Sequence, residues 1–376
     1  MRIIADENMP NVEEWFAPVA SSIVRKPGRS LTADDLSQAD ALLVRSVTQV
    51  NQALLENTLI RFVGSATIGT DHIDLAYLNS KSIQFHHAPG CNAQSVCDWL
   101  LSVFARLYLD RQLDWQHKTI GIVGVGNVGG KVAERLQRLG CKLLLCDPIR
   151  YQKGSLPEHV ELQELLQQSD IVCLHTPHTT KGDHATHHLF NQQQLNLLRP
   201  GCWIINAGRG PVIEGPALAQ KIDSGELNAV LDVWPQEPVV TEQQLQQVAL
   251  ASPHVAGYSL EGKFEGTRML AKAFYQWLGE TFVSEQVSVP KAGVVNALQH
   301  QHADIDTWIS RLVLAVYDPA EDTQALKQAL NQGVVSAQAF DALRKNYPTR
   351  REIASVVIEQ APAELAQRLR PFGFSV

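Results

Sequence analysis

Three polar residues in the second half of the chain have the types and placement that proton and anion chemistry needs: Arg209, Glu237 and His254. Each follows a short apolar run of the kind that forms a buried strand. Trp203-Ile204-Ile205-Asn206 precedes Arg209, Ala229-Val230-Leu231-Asp232-Val233 precedes Glu237, and Val248-Ala249-Leu250 precedes His254. Oxidising a secondary alcohol requires a base that takes the hydroxyl proton as hydride leaves carbon. Histidine suits this because its unperturbed pKa of about 6.5 lies near working pH. A carboxylate bonded to the other ring nitrogen fixes the tautomer and stabilises the imidazolium that forms. A guanidinium can grip a substrate carboxylate with two bonds and stabilise a developing carbonyl. Arg209 stands between Gly208 and Gly210, on a backbone that can come close to a ligand. Taken singly, each residue has an ordinary reading: a solvated loop arginine, a turn-starting glutamate before Pro238, a satisfied loop histidine. Their joint placement after successive strands favours a site.

A hydride acceptor is implied by the stretch Thr119 to Gly129, TIGIVGVGNVG. Its opening apolar run predicts a buried strand, and Gly124, Gly126 and Gly129 follow in the spacing G-x-G-x-x-G. The first glycine permits a tight strand-to-helix turn, the second lets a pyrophosphate approach the backbone, and the third lets helix and strand pack closely. Lys131 to Leu139 has apolar residues at helical spacing and stops at Gly140; free N–H groups at its start, including Asn127 and Val128, would hold phosphates. A second strand, Lys142 to Cys146, ends at Asp147, eighteen positions past the third glycine. That carboxylate would accept bonds from ribose hydroxyls and repel a 2′-phosphate, favouring NAD over NADP. A lone glycine triplet would carry little; the ordered strand, triplet, helix, strand and acid carry the inference.

The elements that must position these groups alternate strand and helix. Ile3-Ile4-Ala5, Ala41 to Val44 and Arg61 to Gly64 predict strands of a first parallel sheet, with Leu36 to Asp40 closing a helix. Ligands of such sheets gather at the carboxyl ends of strands, here Arg45-Ser46 and Ser65 to Thr70. Ala93 to Leu109 predicts a long helix. The rhythm then resumes through Glu161 to Leu166, Ile171 to Leu174, and the runs before Arg209, Glu237 and His254. Glu265 to Leu278 is helical again, and Val287 to Gly293 predicts a linker or edge strand. Residues 294–376 alternate helices (Gln324 to Gln332, Ser336 to Lys345) with a strand (Glu352 to Val357). The fold class is therefore α/β: two doubly wound Rossmann/flavodoxin-like domains with a third, smaller α+β C-terminal domain. The boundaries are 1–95 with 258–285, then 96–257, then 286–376.

A chain of 376 residues is too long for one ordinary core. Its apolar content of 45% and charged content of 19% fit a globular class without a long apolar span, and its net charge of −7 gives no support for nucleic-acid binding. The early acidic turn at Asp6-Glu7 argues against a signal peptide. Six cysteines without C-x-x-C pairing predict reduced thiols and a cytoplasmic setting. The dense histidines His175, His178, His184, His187 and His188 have no ligand spacing on a helical face, so no metal is expected.

Taken together these residues resemble the NAD-dependent D-isomer-specific 2-hydroxyacid dehydrogenases. The matching motifs are Gly64 to Asp74, Ala88-Pro89-Gly90, the glycine triplet, His175-Thr176-Pro177, Asn206 to Gly210, Leu231 to Trp234 with Glu237-Pro238, and Ser252 to Gly257. The resemblance implies Arg209, Glu237 and His254 as the catalytic set, with His254 exchanging the proton. It places Asp147, Thr176, Ala207, Arg209, Asp232 and Gly257 at the cofactor, and the active site in the cleft between the first two domains. The N-terminus MRIIADENMP, Leu43 to Thr48, Ala256 to Lys263 and the tail around Tyr347 to Glu352 resemble a branch that takes a small phosphorylated hydroxy acid and forms a homodimer through its C-terminal domain. This implies substrate contacts at Ser46, Thr67 and Tyr258. Charge and position add Arg45 for a phosphate, with Lys263 or Arg268 as further cations, and Arg209 with the loop N–H groups near Thr67 for a carboxylate. Glu214 stands where many relatives carry Asp. Two alternatives remain at this stage: a sister enzyme acting on 3-phosphoglycerate or hydroxypyruvate, and an NAD-sensing scaffold without turnover.

Overall fold

Five short runs rich in β-branched and leucyl residues build the first sheet: β1 (Arg2–Asp6), β2 (Ser22–Lys26), β3 (Ala41–Val44), β4 (Phe62–Ser65) and β5 (Gln84–His87). All pair in parallel, in the order β2-β1-β3-β4-β5. In the computed structural model, which describes residues 1–283, 287–290 and 292–376, this sheet belongs to a unit made of Met1–Ala93 and Tyr258–Pro290. The expected boundary at 285–286 lies outside the described residues, as does position 291 of the expected linker. The returning helix spans Leu260–Leu278, a turn longer than its periodicity predicts. Ser259 starts it by accepting the Gly262 N–H at 2.8 Å, and Gly279 ends it at φ 76°. Its Leu270, Ala271 and Phe274 are fully buried against Phe16, Ala41 and Phe62.

The second unit comprises Gln94–Gly257 and Lys291–Val376. It contains β6 (Thr119–Val123), β7 (Lys142–Cys146), β8 (Ile171–Leu174), β9 (Cys202–Asn206), β10 (Leu227–Leu231) and the two-residue strands β11 (Val240–Thr241) and β12 (Leu250–Ala251). A six-stranded parallel sheet runs β12-β10-β9-β8-β6-β7. In both sheets the strand order reverses beside the first strand, which places a ligand crevice at the carboxyl ends of neighbouring strands. The near-continuous apolar runs of β6, β8 and β9 follow from helices covering both faces.

The C-terminal segment adds β13 (Val294–Asn296), β14 (Val334–Val335) and β15 (Val357–Glu359), with helices at Ile305–Val316, Pro319–Gln328, Ala337–Lys345 and Ala363–Leu369. β14 pairs antiparallel with β11, and β13 pairs in parallel with β15. Trp308, Leu312, Phe372 and Phe374 share one core with Leu100, Phe104 and Trp115. Two predicted elements are displaced. The helix expected from Gln324 starts at Pro319, because Asp318 accepts the Ala320 N–H at 3.0 Å. The strand expected over Glu352 to Val357 is a single turn at Ile353–Ser355 followed by β15, because the Ile353 N–H is drawn to the Asp98 carboxylate at 2.8 Å. Among the described residues no helix is long and apolar enough to cross a membrane.

Candidate active site

β6 ends at Gly124, whose φ of 84° turns the chain sharply toward the helix Asn127–Arg138. A Cβ on Gly129 would overlap the Gly124 carbonyl oxygen, so the third glycine serves close packing. Among the described residues a Cβ on Gly126 would meet nothing within 4 Å. That open space lies at a helix start with no side-chain cap, where the first N–H groups lack intrahelical partners. Asn127 is exposed there and Val128 half-buried. At the tip of β7, Asp147 accepts the Val125 N–H at 2.9 Å and the Arg150 N–H at 3.0 Å. Its carboxylate is thereby pinned to the glycine loop with lone pairs to spare. Beside Gly124, the Thr176 hydroxyl is buried with no hydrogen-bond partner among the described residues, and the same holds for both ring nitrogens of His175. Burial pushes the His175 imidazole down to about 4, so it is neutral in ordinary buffers. A glycine cradle left open, a pinned acid and an orphaned hydroxyl fit a dinucleotide.

The next strand ends position His254 and Glu237. His254 Nδ1 lies 2.8 Å from Glu237 Oε2, and both side chains are half-buried. A carboxylate only accepts, so Nδ1 carries the hydrogen and Nε2 keeps its lone pair. The other Glu237 oxygen accepts the Trp234 N–H at 2.8 Å. Burial raises the Glu237 pKa, but the charge and hydrogen bond of His254, together with the Trp234 N–H, outweigh it and hold the group below the usual carboxylate range. His254 has a left-handed backbone, φ 57°, with its N–H on the Asp232 carbonyl at 2.8 Å. Arg209 follows β9; Asn206 holds its loop by donating to the Arg209 carbonyl at 3.1 Å and accepting the Gly208 N–H at 3.0 Å. The flanking glycines do a different job from the one expected. A Cβ on Gly208 would press on the Thr176 carbonyl, and one on Gly210 would overlap that of Trp234. They let the arginine loop pack against neighbouring strand ends.

Asp232, expected at the cofactor, is 1% exposed and fully engaged. It accepts the Ser252 hydroxyl at 2.6 Å, the Val255 N–H at 2.7 Å and the Ala256 N–H at 3.1 Å, tying down the segment that carries His254. Ala207 and Gly257 are half-buried at the ends of their strand and loop. The histidines of residues 178–188 pair with one another or with neighbours: His178 with His187 at 3.0 Å, and His184 with Gln152 at 2.9 Å. Among the described residues no group of three or more metal-ligating side chains converges.

In the first unit the Arg45 guanidinium lies 5.4 Å from the Tyr258 ring centroid, and Lys263 Nζ lies 5.1 Å from the same ring. Ser46 follows Arg45 and is half-buried. Thr67 Oγ1 donates to the Gly69 carbonyl at 3.0 Å and lies 2.7 Å from Ser65 Oγ, which is 2.9 Å from His72 Nε2. Arg268, the alternative phosphate cation, is engaged by Glu265 through two bonds of 2.6 and 2.7 Å. Sequence reading missed Arg150, whose guanidinium holds the Val125 carbonyl at 2.6 Å, and Thr323 and Arg350, which reach the His254 segment from the C-terminal region. No local pattern marks an arginine that buries itself by tertiary contact.

Residues 103–256 match the model of the D-isomer specific 2-hydroxyacid dehydrogenase NAD-binding domain. Residues 289–373 match a domain of unknown function, DUF3410. The chain is 43% identical to an erythronate-4-phosphate dehydrogenase of Pseudomonas fluorescens, over 99% of each chain. It is 44% identical to one of Pseudoalteromonas translucida, over the full length of both. Among solved structures it is similar to an NAD+-bound 3-phosphoglycerate dehydrogenase of Entamoeba histolytica, with TM-score 0.65 and 20% identity over 77% of this chain and 99% of that one. A D-lactate dehydrogenase of Aquifex aeolicus complexed with NAD and lactic acid gives TM-score 0.60 and 22% identity, over 74% and 95%.

Proposed function

The chain belongs to the D-isomer-specific 2-hydroxyacid dehydrogenase family, and we propose that it oxidises 4-phospho-D-erythronate to (R)-3-hydroxy-2-oxo-4-phosphooxybutanoate with NAD, a step toward pyridoxine 5′-phosphate. The observation that carries this reading is full-length similarity to enzymes of that name, together with an intact His254–Glu237 pair beside the Arg209 loop. Bound NAD supplies the acceptor for the hydride leaving the alcohol carbon. His254 Nε2 takes the hydroxyl proton, and Glu237 stabilises the resulting imidazolium through Nδ1–H. Arg209 grips the substrate carboxylate and draws charge toward the forming carbonyl. Gly124, Gly126, Asn127, Val128 and Gly129 offer the dinucleotide their backbone, with Asp147 at the ribose and Thr176, Ala207 and Gly257 alongside. Asp232 acts there through the loop it holds. Arg45, Ser46 and Tyr258 take the phosphate end, and Thr67 joins the carboxylate contacts. The same reading makes the protein a cytoplasmic homodimer built on its C-terminal segment. All six free, buried cysteines fit a reducing compartment. Exposed Val294 and Val357 on β13 and β15 fit a subunit contact.

The deciding assay is NAD reduction with 4-phosphoerythronate, 3-phosphoglycerate, hydroxypyruvate's reduced form and unphosphorylated erythronate, run on wild type and Arg45→Ala. 4-Phosphoerythronate should exceed the other acids in kcat/KM by about 100-fold. Arg45→Ala should lose about 10- to 100-fold on the phosphorylated acid and little on erythronate, as removal of a charge-assisted contact requires. Equal or faster turnover of 3-phosphoglycerate would overturn the substrate assignment, and equal losses on both erythronates would remove Arg45 from the phosphate site.

A further inference from the structure

The segment that carries His254 is gripped from the C-terminal region. Thr323 Oγ1 accepts the Ala251 N–H at 2.9 Å and donates to the Ala251 carbonyl at 3.0 Å. Arg350, 6% exposed, donates to the carbonyls of Val255 at 3.2 Å, Ala256, and Ser95 at 3.2 Å. The N–H groups of Val255 and Ala256 go to the Asp232 carboxylate. Both residues after His254 are therefore fixed at both polar ends, the N–H on a carboxylate and the C=O on a guanidinium. The guanidinium is itself packed. It lies 4.6 Å from the Tyr317 ring centroid, and Asp322 accepts the hydroxyls of Tyr317 at 2.6 Å and Tyr347 at 3.0 Å. His254 needs such a hold. A non-glycine residue at φ 57° persists only where its surroundings over-determine it. A small turn of that backbone would carry Nδ1 off Glu237.

We propose that Arg350 is a positioning residue for the acid–base chemistry: it locks the 254–256 backbone so that the His254 imidazole stays on Glu237. The proposal rests on the reading of His254 as the catalytic base. It gives the C-terminal segment, whose matching family model is a domain of unknown function, a task inside the active centre as well as any role in assembly. A buried arginine acting for stability alone would change how much protein folds, and leave each folded active centre as fast as before.

The test compares wild type with Arg350→Met, which keeps length and loses all donors, and Arg350→Lys, which keeps charge and reaches fewer carbonyls. Kinetics are normalised to NADH-binding sites measured by fluorescence. Arg350→Met should bind NADH within about threefold of wild type and lose roughly 100-fold in kcat per site, as displacement of a reacting group by about 1 Å would cause. The KM for NAD should stay within about threefold of wild type, so that the loss falls on kcat. Arg350→Lys should fall between the two. A folded Arg350→Met with kcat per site within about threefold of wild type overturns the proposal, as does failure of both variants and of Thr323→Val to fold at all. If wild type oxidises no hydroxy acid, the functional reading fails on that measurement. Arg350 is then judged by the NMR resonance of the His254 Nδ1–H, which the bond to Glu237 draws downfield and Arg350→Met should move back; an unmoved resonance overturns the positioning role.

Discussion

At the residue scale the decisive contact is His254 Nδ1 to Glu237 Oε2 at 2.8 Å. Glu237 stays ionised because its partners outweigh its burial, so a full negative charge faces the ring. On the proposed reading that charge stabilises the imidazolium that forms as the ring takes the hydroxyl proton. Glu237→Gln removes the charge and keeps the size. Turnover should then drop roughly 100-fold, because neither the tautomer nor the imidazolium is supported, while NADH affinity stays within about threefold. Steady-state kinetics with NADH titration check both, and an unchanged kcat would mean that Glu237 does not support the base. His254, Glu237 and Arg209 could be singled out in the sequence because each stands just past an apolar strand run, and the structure pairs the first two. The hold of Asp232 on the Val255 and Ala256 N–H groups could not, because an acid at a strand end looks the same whether it faces a ribose or its own chain's N–H groups.

At the scale of elements, strand–turn–helix chemistry carried the most information. Periodicity and glycine spacing located β6, the helix Asn127–Arg138 and β7 to within a few residues, and Asp147 caps β7 as the spacing requires. Edge and short elements were hard to see. β2, Ser-Ile-Val-Arg-Lys, is half-buried at the sheet's edge and has no continuous apolar signature. The turn at Ile353–Ser355 exists because a tertiary carboxylate outbids strand propensity. The glycines of the cradle make a separable prediction. Gly126→Ala adds a methyl group to space that no atom of the described residues fills, at a negative φ that alanine tolerates. It should fold and melt as wild type does and lose about 10- to 100-fold in NADH affinity, since its methyl group stands where a pyrophosphate must approach the backbone. Gly129→Ala drives a methyl group into the Gly124 carbonyl and should lose about 2 kcal/mol or more of stability, by overpacking a close helix–strand contact. Thermal melts and NADH titrations of the two variants separate cofactor space from packing space. Weak NADH binding by both with equal melting losses would refute the distinction.

At the scale of the whole molecule, two buried acids contribute to the pH dependence of stability against the usual direction for a carboxylate. Asp98, on the helix Ala93–Arg111, and Asp322, on the helix Pro319–Gln328, are both pushed up to about 6, burial being the main cause in each. Asp98 accepts the Ile353 N–H at 2.8 Å and the Gln94 amide at 2.7 Å, joining the nucleotide-binding segment to the C-terminal one. In the unfolded chain an aspartate titrates near 3.9. Between about 4 and about 6 each of these two carboxyls therefore holds its proton more firmly in the folded state than in the unfolded one, and its contribution to stability falls as pH rises through that window. Above both values the difference is constant. For Asp98 alone the loss amounts to as much as about 3 kcal/mol. Asp98→Asn removes this titration. Its hydrogen bonds set a fixed offset from wild type, and only the wild type carries the slope that belongs to Asp98. Urea unfolding of both proteins in steps from about pH 4 to about pH 7 should show the variant gaining on wild type up to about pH 6 and running parallel beyond it. A gap that does not change with pH would mean that Asp98 ionises as readily in the folded protein as in the unfolded chain, and that the junction between the two segments is wetter than its burial implies.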